Sequence, residues 1–158
     1  HEVKMGIEEQ GIQFRRRAKV GIMVPDLSHS VLECKPMEAL SSSPISCTLS
    51  LRNGGLGNAS EVLAFIPLPE NSRLIPDSFS CDVGTLEVGE GFLSWSGSIT
   101  AGNSASVWWG IKAWAFREQT LYHVAFIGQE SGVFRERATW LEVYPWKVFL
   151  PAIYKSSP

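Results

Sequence analysis

The sequence predicts an all-β protein, a two-sheet antiparallel sandwich of about seven short strands. Apolar residues recur at every second position in several segments, whereas no long segment carries them at the helical spacing of i, i+3, i+4 and i+7. Each alternating segment ends in residues that favour turns. Short alternating strands separated by glycine, proline and asparagine are typical of β-sandwiches.

The predicted strands follow one another along the chain with turns between them. Ile45, Cys47, Leu49 and Leu51 alternate with polar residues, which gives one buried and one solvated face. In 105–113 the same alternation turns Trp109 inward and Trp108 outward. The predicted strands are 30–34, 45–51, 60–66, 91–96, 105–113, 121–127 and 134–143, and the turns between them include 53–55, 69–71, 88–91, 101–103 and 128–132.

One segment of the chain occurs twice. Residues 3–25 resemble 124–145 at eight positions, with an offset of 121 that becomes 120 after one inserted residue, Gln13. The matched pairs are Val3/Val124, Glu9/Glu130, Gly11/Gly132, Phe14/Phe134, Arg15/Arg135, Arg17/Arg137, Ala18/Ala138 and Pro25/Pro145. Chance agreement is the alternative to a duplication, since only eight positions agree.

A duplication at this spacing predicts an array of domains. We expect residues 1–25 to be the C-terminal hairpin of a preceding repeat, 26–145 a complete sandwich, and 146–158 a C-terminal tail. The chain then reads as a fragment of a longer protein, whose neighbouring repeats would be its partners. The junction at Pro25 is short, which indicates closely stacked domains.

Composition argues against several functions. Charged residues make up 19% of the chain and the net charge is -2, so nothing indicates a nucleic-acid surface. No apolar run approaches the roughly 18 to 20 residues of a membrane-spanning helix.

The three cysteines predict one disulfide. Cys34 and Cys47 fall on neighbouring antiparallel strands, where two Cα atoms can come within bridging distance. Such a bridge would contribute on the order of 3 kcal/mol and would indicate an oxidising compartment. A pair of buried free thiols is the alternative. Cys81 is left over, either as an unpaired thiol or with an intermolecular partner.

A series of short motifs in the middle of the chain resembles a known family. An Asn53-Gly54-Gly55 turn is followed by Leu68-Pro69 at a strand end, Pro76-Asp77-Ser78 in a turn, Trp95-Ser96-Gly97 in a strand and Ala101-Gly102-Asn103-Ser104 at a strand entry. This order is similar to the bacterial surface repeat family called domain of unknown function eleven. The likeness covers about residues 30 to 115.

The resemblance implies an immunoglobulin-like sandwich, repeated in tandem in secreted or cell-wall-associated bacterial proteins, without established catalytic activity. Trp95 matches the family's core position. Members usually carry an Asp three residues before the proline of the Leu-Pro element, and Ile66 stands there in this chain. A capping or ion-binding role of that carboxylate is therefore not transferred.

No motif predicts catalysis, a metal or a cofactor. The chain has no G-x-S-x-G elbow, no calcium loop and no paired C-x-x-C site. Its histidines, His1, His29 and His123, have no acidic residue at a spacing typical of a catalytic or metal site. We expect His123 to be a half-exposed strand residue. We therefore predict that the chain is not an enzyme.

Two interpretations of function remain. The first is a non-catalytic extracellular spacer or display module of a bacterial surface or secreted protein. The second is an adhesion or carbohydrate-binding module in which Trp108 and Trp114, on the outer face around Lys112, stack on a cell-wall or extracellular glycan. The alternative for these tryptophans is packing on neighbouring strands or on the adjoining repeat.

Overall fold

The computed structural model describes residues 23–129, 132 and 134–146, and within them the chain forms eleven β-strands and no helix. The strands are β1 (Val31–Lys35), β2 (Glu38–Leu40), β3 (Pro44–Arg52), β4 (Ala59–Pro67), β5 (Ser72–Leu74), β6 (Ser80–Cys81), β7 (Thr85–Gly89), β8 (Phe92–Ile99), β9 (Ser104–Ala113), β10 (Gln119–Gly128) and β11 (Phe134–Tyr144). Consequently no helix of the described ranges is long and apolar enough to cross a membrane.

The strands form two sheets. Sheet 1 has the order β1-β3-β9-β5, and β6 also pairs with β9. Sheet 2 has the order β2-β11-β10-β4-β8-β7. All pairs are antiparallel except β2 with β11, which is parallel. The predicted two-sheet sandwich is therefore confirmed.

All seven predicted strands are present, as β1, β3, β4, β8, β9, β10 and β11. In β3 the residues Ile45, Cys47, Leu49 and Leu51 are buried, as the alternation predicts. Four short strands, β2, β5, β6 and β7, were not predicted. Three of them have only two or three residues, too few for an alternating pattern to be recognised.

The core lies between the inner faces of the two sheets, with Trp95 of sheet 2 and Trp109 of sheet 1 as its largest side chains. The Trp95 indole nitrogen donates to the Val83 carbonyl oxygen at 2.7 Å, so its one polar atom is satisfied. Gly97 leaves room for the ring, because a Cβ at Gly97 would lie 2.7 Å from Trp95 Cζ2.

Asn53 organises the turn after β3. Its side chain is fully buried and donates to the carbonyl oxygens of Gly57 at 2.8 Å and Ile99 at 3.0 Å. Its Oδ1 accepts from the backbone N–H of Asp26 at 2.9 Å and of Gly55 at 3.1 Å. One buried amide thus fastens the entry of the domain to this turn.

The predicted disulfide is present. Cys34 and Cys47 are directly opposite each other on β1 and β3, with Cα atoms 4.0 Å apart, and their sulfur atoms are bonded. Cys81 carries a free thiol.

The second copy of the duplicated segment forms the β10–β11 hairpin, with Val124 opposite Ala138. Residues 3–22 of the first copy (3–25) and residues 147–158 of the predicted tail (146–158) lie outside the described residues. The boundaries at 25 and 145 therefore remain predictions.

Candidate binding faces

The residues predicted to bind a ligand lie along one strand of sheet 1. Trp108 is 41% exposed on the outer face of β9, next to Thr48 of β3 and Ser80 of β6. Trp114 follows the end of β9, six residues on, which is about 20 Å along an extended strand. Lys112 lies between them and faces Arg73 of β5 across the strand pair.

Two features separate these tryptophans. Between Trp108 and Lys112 the outward position is Gly110, whose N–H is bonded to the Ser78 hydroxyl and backbone oxygen, each at 3.0 Å. A Cβ at Gly110 would meet Ser78 Oγ at 2.9 Å, so Ser78 covers this position. Trp114 is covered on one side by the Arg73 guanidinium, 4.5 Å from the ring centroid. The two indoles therefore do not form one continuous platform.

Lys112 also lines an open depression of about 270 Å³, together with Arg73, Leu74, Ile75 and Pro76. Two cations close to one apolar depression fit an anionic or polar ligand better than an apolar one.

A second, apolar surface lies on the outer side of sheet 2. We call it the aromatic face, and it consists of Leu63, Phe65, Phe92, Tyr122, Phe126, Phe134 and Trp140. Its rings form three pairs, with centroids 5.1 Å apart for Phe65 and Phe92, 5.8 Å for Phe126 and Phe134, and 5.7 Å for Tyr122 and Trp140.

The aromatic face is exposed although sheet 2 also packs on the core. Trp140 is 58% exposed, Phe134 67% and Leu63 50%. An antiparallel sheet with one buried face normally has polar residues on the other. Contiguous apolar residues on a solvated sheet face are typical of an interaction surface.

Polar groups border the aromatic face. Tyr122 donates its hydroxyl hydrogen to Glu136 at 2.7 Å, and this bond raises the pKa of Tyr122. Thr120 donates to Glu142 at 2.8 Å. An open groove of about 500 Å³ begins at Leu63 and continues past Glu61, Thr85, Ser96 and Ser98. A ligand could therefore contact rings and hydroxyl groups on one surface.

Sequence reasoning missed the aromatic face, although β10 carries a signal of it. Leu121, Ala125 and Ile127 are buried, while Tyr122 and Phe126 alternate with them on the opposite side. A strand with apolar residues on both of its faces predicts that the outer face is also covered or binds a partner.

His123 differs from the prediction of a half-exposed residue. It is fully buried, because it occupies the inward register of β10 with Leu121 and Ala125. Burial lowers the pKa of His123 to about 4, while the nearby Pro67 carbonyl opposes this shift. Neither ring nitrogen has a hydrogen-bond partner of normal geometry within the described part of the chain. His123 is therefore neutral at pH 7 and out of reach of a dissolved substrate.

One group of residues superficially resembles a catalytic triad. Ser28 Oγ lies 3.2 Å and Asp26 Oδ2 3.8 Å from His29, but both contact the same atom, Nδ1. A triad requires the acid and the nucleophile on different ring nitrogens. Ser28 also lowers the pKa of Asp26 by hydrogen bonding, which fits a turn cap.

Comparisons with known proteins agree with the fold. No family model and no curated protein matches the chain. A solved structure of a putative membrane-anchored protein from Corynebacterium diphtheriae is similar, with a TM-score of 0.59 and 10% identity over 74% of this chain and 36% of that one. The collagen-binding domain of the Erysipelothrix rhusiopathiae surface protein RspB gives 0.52 and 14%, over 73% and 45%.

The collagen-binding domain of a Staphylococcus aureus adhesin gives a TM-score of 0.51 and 9% identity, over 73% of this chain and 96% of that one. The first two likenesses span less than half of the compared chains. At these identities the comparisons show the fold, an immunoglobulin-like sandwich. Membership of the repeat family named above stays a prediction.

Proposed function

We propose that this chain is a non-catalytic extracellular module that spaces or displays other parts of a bacterial surface or secreted protein. The observation that carries this proposal is an immunoglobulin-like sandwich with a disulfide between β1 and β3. Disulfides persist in oxidising compartments, outside the cytosol. Similar folds in surface proteins of other bacteria support the same location.

The way the chain enters the domain supports close stacking of repeats. Arg137 donates from Nη2 to the Ser28 carbonyl oxygen at 2.6 Å and from Nε to that of Ser30, and Arg135 lies 3.7 Å from Asp26. The Asp26 carbonyl oxygen also accepts from Gly54 at 2.8 Å. The entry segment is thus held along the sandwich instead of leaving it as a free linker.

These contacts give the duplicated arginines a role. Arg135 and Arg137 hold the residues that follow Pro25, and their counterparts in the first copy are Arg15 and Arg17. In the proposed array, each terminal hairpin holds the entry segment of its own sandwich.

Force spectroscopy tests the spacer function. With the chain held between two handle domains, we expect a distinct unfolding peak above the baseline. A reductant should lengthen the extension by about 45 Å, because it releases the chain between Cys34 and Cys47, which are 13 residues apart in sequence and joined by the bridge. Extension without a force peak would contradict a load-bearing spacer.

The second candidate function is adhesion, and the exposed aromatic face favours it. Aromatic rings beside a hydroxyl-lined groove suit a repeating polymer, either a glycan or a fibrous protein. Two of the similar structures are collagen-binding domains. Trp108, Lys112 and Trp114 remain the alternative binding residues.

Paired variants discriminate these surfaces on a glycan array and on immobilised collagen. If the aromatic face binds, Tyr122→Ser with Trp140→Ser should abolish binding, while Trp108→Ala with Trp114→Ala should retain it. The reverse pattern would favour the residues on β9. Absence of binding by the unmodified chain would contradict adhesion to these ligands and leave the spacer proposal intact.

A further inference from the structure

A Cys₂His cluster lies in the core between the two sheets. Cys34 and Cys47 come from sheet 1 and His123 from sheet 2, and all three are buried. One potential ligand atom from each residue lies within 4.8 Å of the other two. Three strands that are distant in sequence thus bring two sulfur atoms and an imidazole to one point.

Packing alone does not explain why a histidine occupies position 123 in the core. Both of its nitrogens are buried without a hydrogen-bond partner of normal geometry among the described residues. A buried polar group without a partner costs on the order of 1 to 3 kcal/mol. An apolar residue would avoid this cost, as Leu121 and Ala125 do at the neighbouring inward positions.

The Pro67 carbonyl lies near the ring without a hydrogen bond of normal geometry, and Trp109, which also packs on the ring, does not engage its nitrogens. Trp109 meets His123 edge to face, with centroids 5.5 Å apart, and its own Nε1 lacks a partner. The lone pair of the neutral imidazole is therefore not engaged by the indole N–H.

When the two cysteines are thiols, these groups match the preferences of Zn²⁺. Zinc binds thiolate sulfur at about 2.3 Å and imidazole nitrogen at about 2.0 Å, which puts tetrahedral donors roughly 3.5 to 3.8 Å apart. To reach this spacing the two sulfur atoms must move apart from the roughly 2 Å of a disulfide bond once it is reduced, and the imidazole must approach them by up to about 1 Å. Two thiolates would neutralise the dication, as a site inside an apolar core requires.

We propose that the dithiol form of this chain binds Zn²⁺ through Cys34, Cys47 and His123, and that metal binding and the disulfide exclude each other. Binding releases the two thiol protons as two Zn–S bonds form. Oxidation by a disulfide carrier takes two electrons from the thiolates, forms the S–S bond and expels Zn²⁺, while the carrier takes up these electrons and two protons from solvent to become a dithiol. Every newly synthesised chain begins in the dithiol form, so this state precedes the disulfide.

Cobalt substitution under anaerobic conditions tests the site. The chain is reduced, freed of reductant and titrated with Co²⁺ and then Zn²⁺, all in a Cys81→Ser background that removes the remaining thiol. We expect one equivalent of Co²⁺ to produce thiolate-to-cobalt charge-transfer absorption, and one equivalent of Zn²⁺ to abolish it. The oxidised chain should give no such absorption.

The His123→Leu variant isolates the imidazole, because leucine has a similar volume and no ligand atom. We expect it to bind Co²⁺ more than about tenfold more weakly than the parent. Circular dichroism reports folding in parallel: should the reduced chain be unfolded, Zn²⁺ must restore the native signal in the parent and not in His123→Leu. Equal affinity of the two proteins, or no binding and no refolding by either, would overturn the proposal.

Discussion

His123 makes the stability of the oxidised protein depend on pH. Burial lowers its pKa from 6.5 to about 4 in the folded state. The unfolded chain therefore takes up a proton as the pH falls below about 6.5, whereas folded His123 does so only near 4. Between these values the unfolded state binds more protons, so stability decreases with falling pH.

We expect this residue alone to lower the free energy of unfolding by about 3 kcal/mol between pH 7 and 4, with the loss levelling off below pH 4. Urea unfolding at a series of pH values measures it. His123→Leu should remove this part of the pH dependence, and His29→Leu, a change at an exposed histidine, should retain it. Parallel curves for the parent and His123→Leu would contradict the prediction.

At the scale of strands, the sequence pattern located the long elements and missed the short ones. β3 and β9 were predictable because nine or ten residues alternate regularly. β2 was not, because its three residues become a strand only by pairing with Glu142–Tyr144 of β11, about 100 residues away. Such pairing depends on tertiary contacts and leaves no local signal.

The faces of the strands were harder to predict than their positions. Alternation correctly separated Trp108 from Trp109. It did not show that His123 points inward, because a histidine is compatible with either face. Nor did it show that residues of β4, β8, β10 and β11 unite in the aromatic face, which requires the strand order of sheet 2.

Two glycines beside β7 provide a matched test of packing against β8. Both have positive φ, +83° at Gly84 and +80° at Gly91, in the region that disfavours other residues. A Cβ at Gly84 would lie 2.5 Å from the Ser96 carbonyl oxygen and 2.7 Å from Trp95 Nε1, whereas one at Gly91 would meet nothing within 4 Å.

We expect Gly91→Ala to cost about 1 kcal/mol from backbone strain alone. Gly84→Ala should cost about 3 kcal/mol, since it adds overpacking against Trp95. Chemical unfolding measures both, and tryptophan fluorescence should change only for Gly84→Ala. Equal costs would show that the contact with Trp95 relaxes freely.

At the scale of the whole molecule, the two sheets are held together by packing, and no disulfide of the described residues joins one sheet to the other. The disulfide joins β1 to β3 within sheet 1, and β1 is the edge strand of that sheet. Edge strands have one neighbour and open first. The bridge therefore secures the strand nearest to the domain entry, where load would arrive if the proposed array of repeats exists.

We expect reduction of the disulfide to lower the free energy of unfolding by about 3 kcal/mol, since the bridge closes a 13-residue separation in the unfolded chain. Thiol titration of the unfolded protein checks the bridge itself: one reactive thiol, that of Cys81, before reduction and three after. The Cys81→Ser variant should show none before reduction and two after, with unchanged stability. Three thiols in the unreduced chain would refute the bridge, and with it the argument for an oxidising compartment.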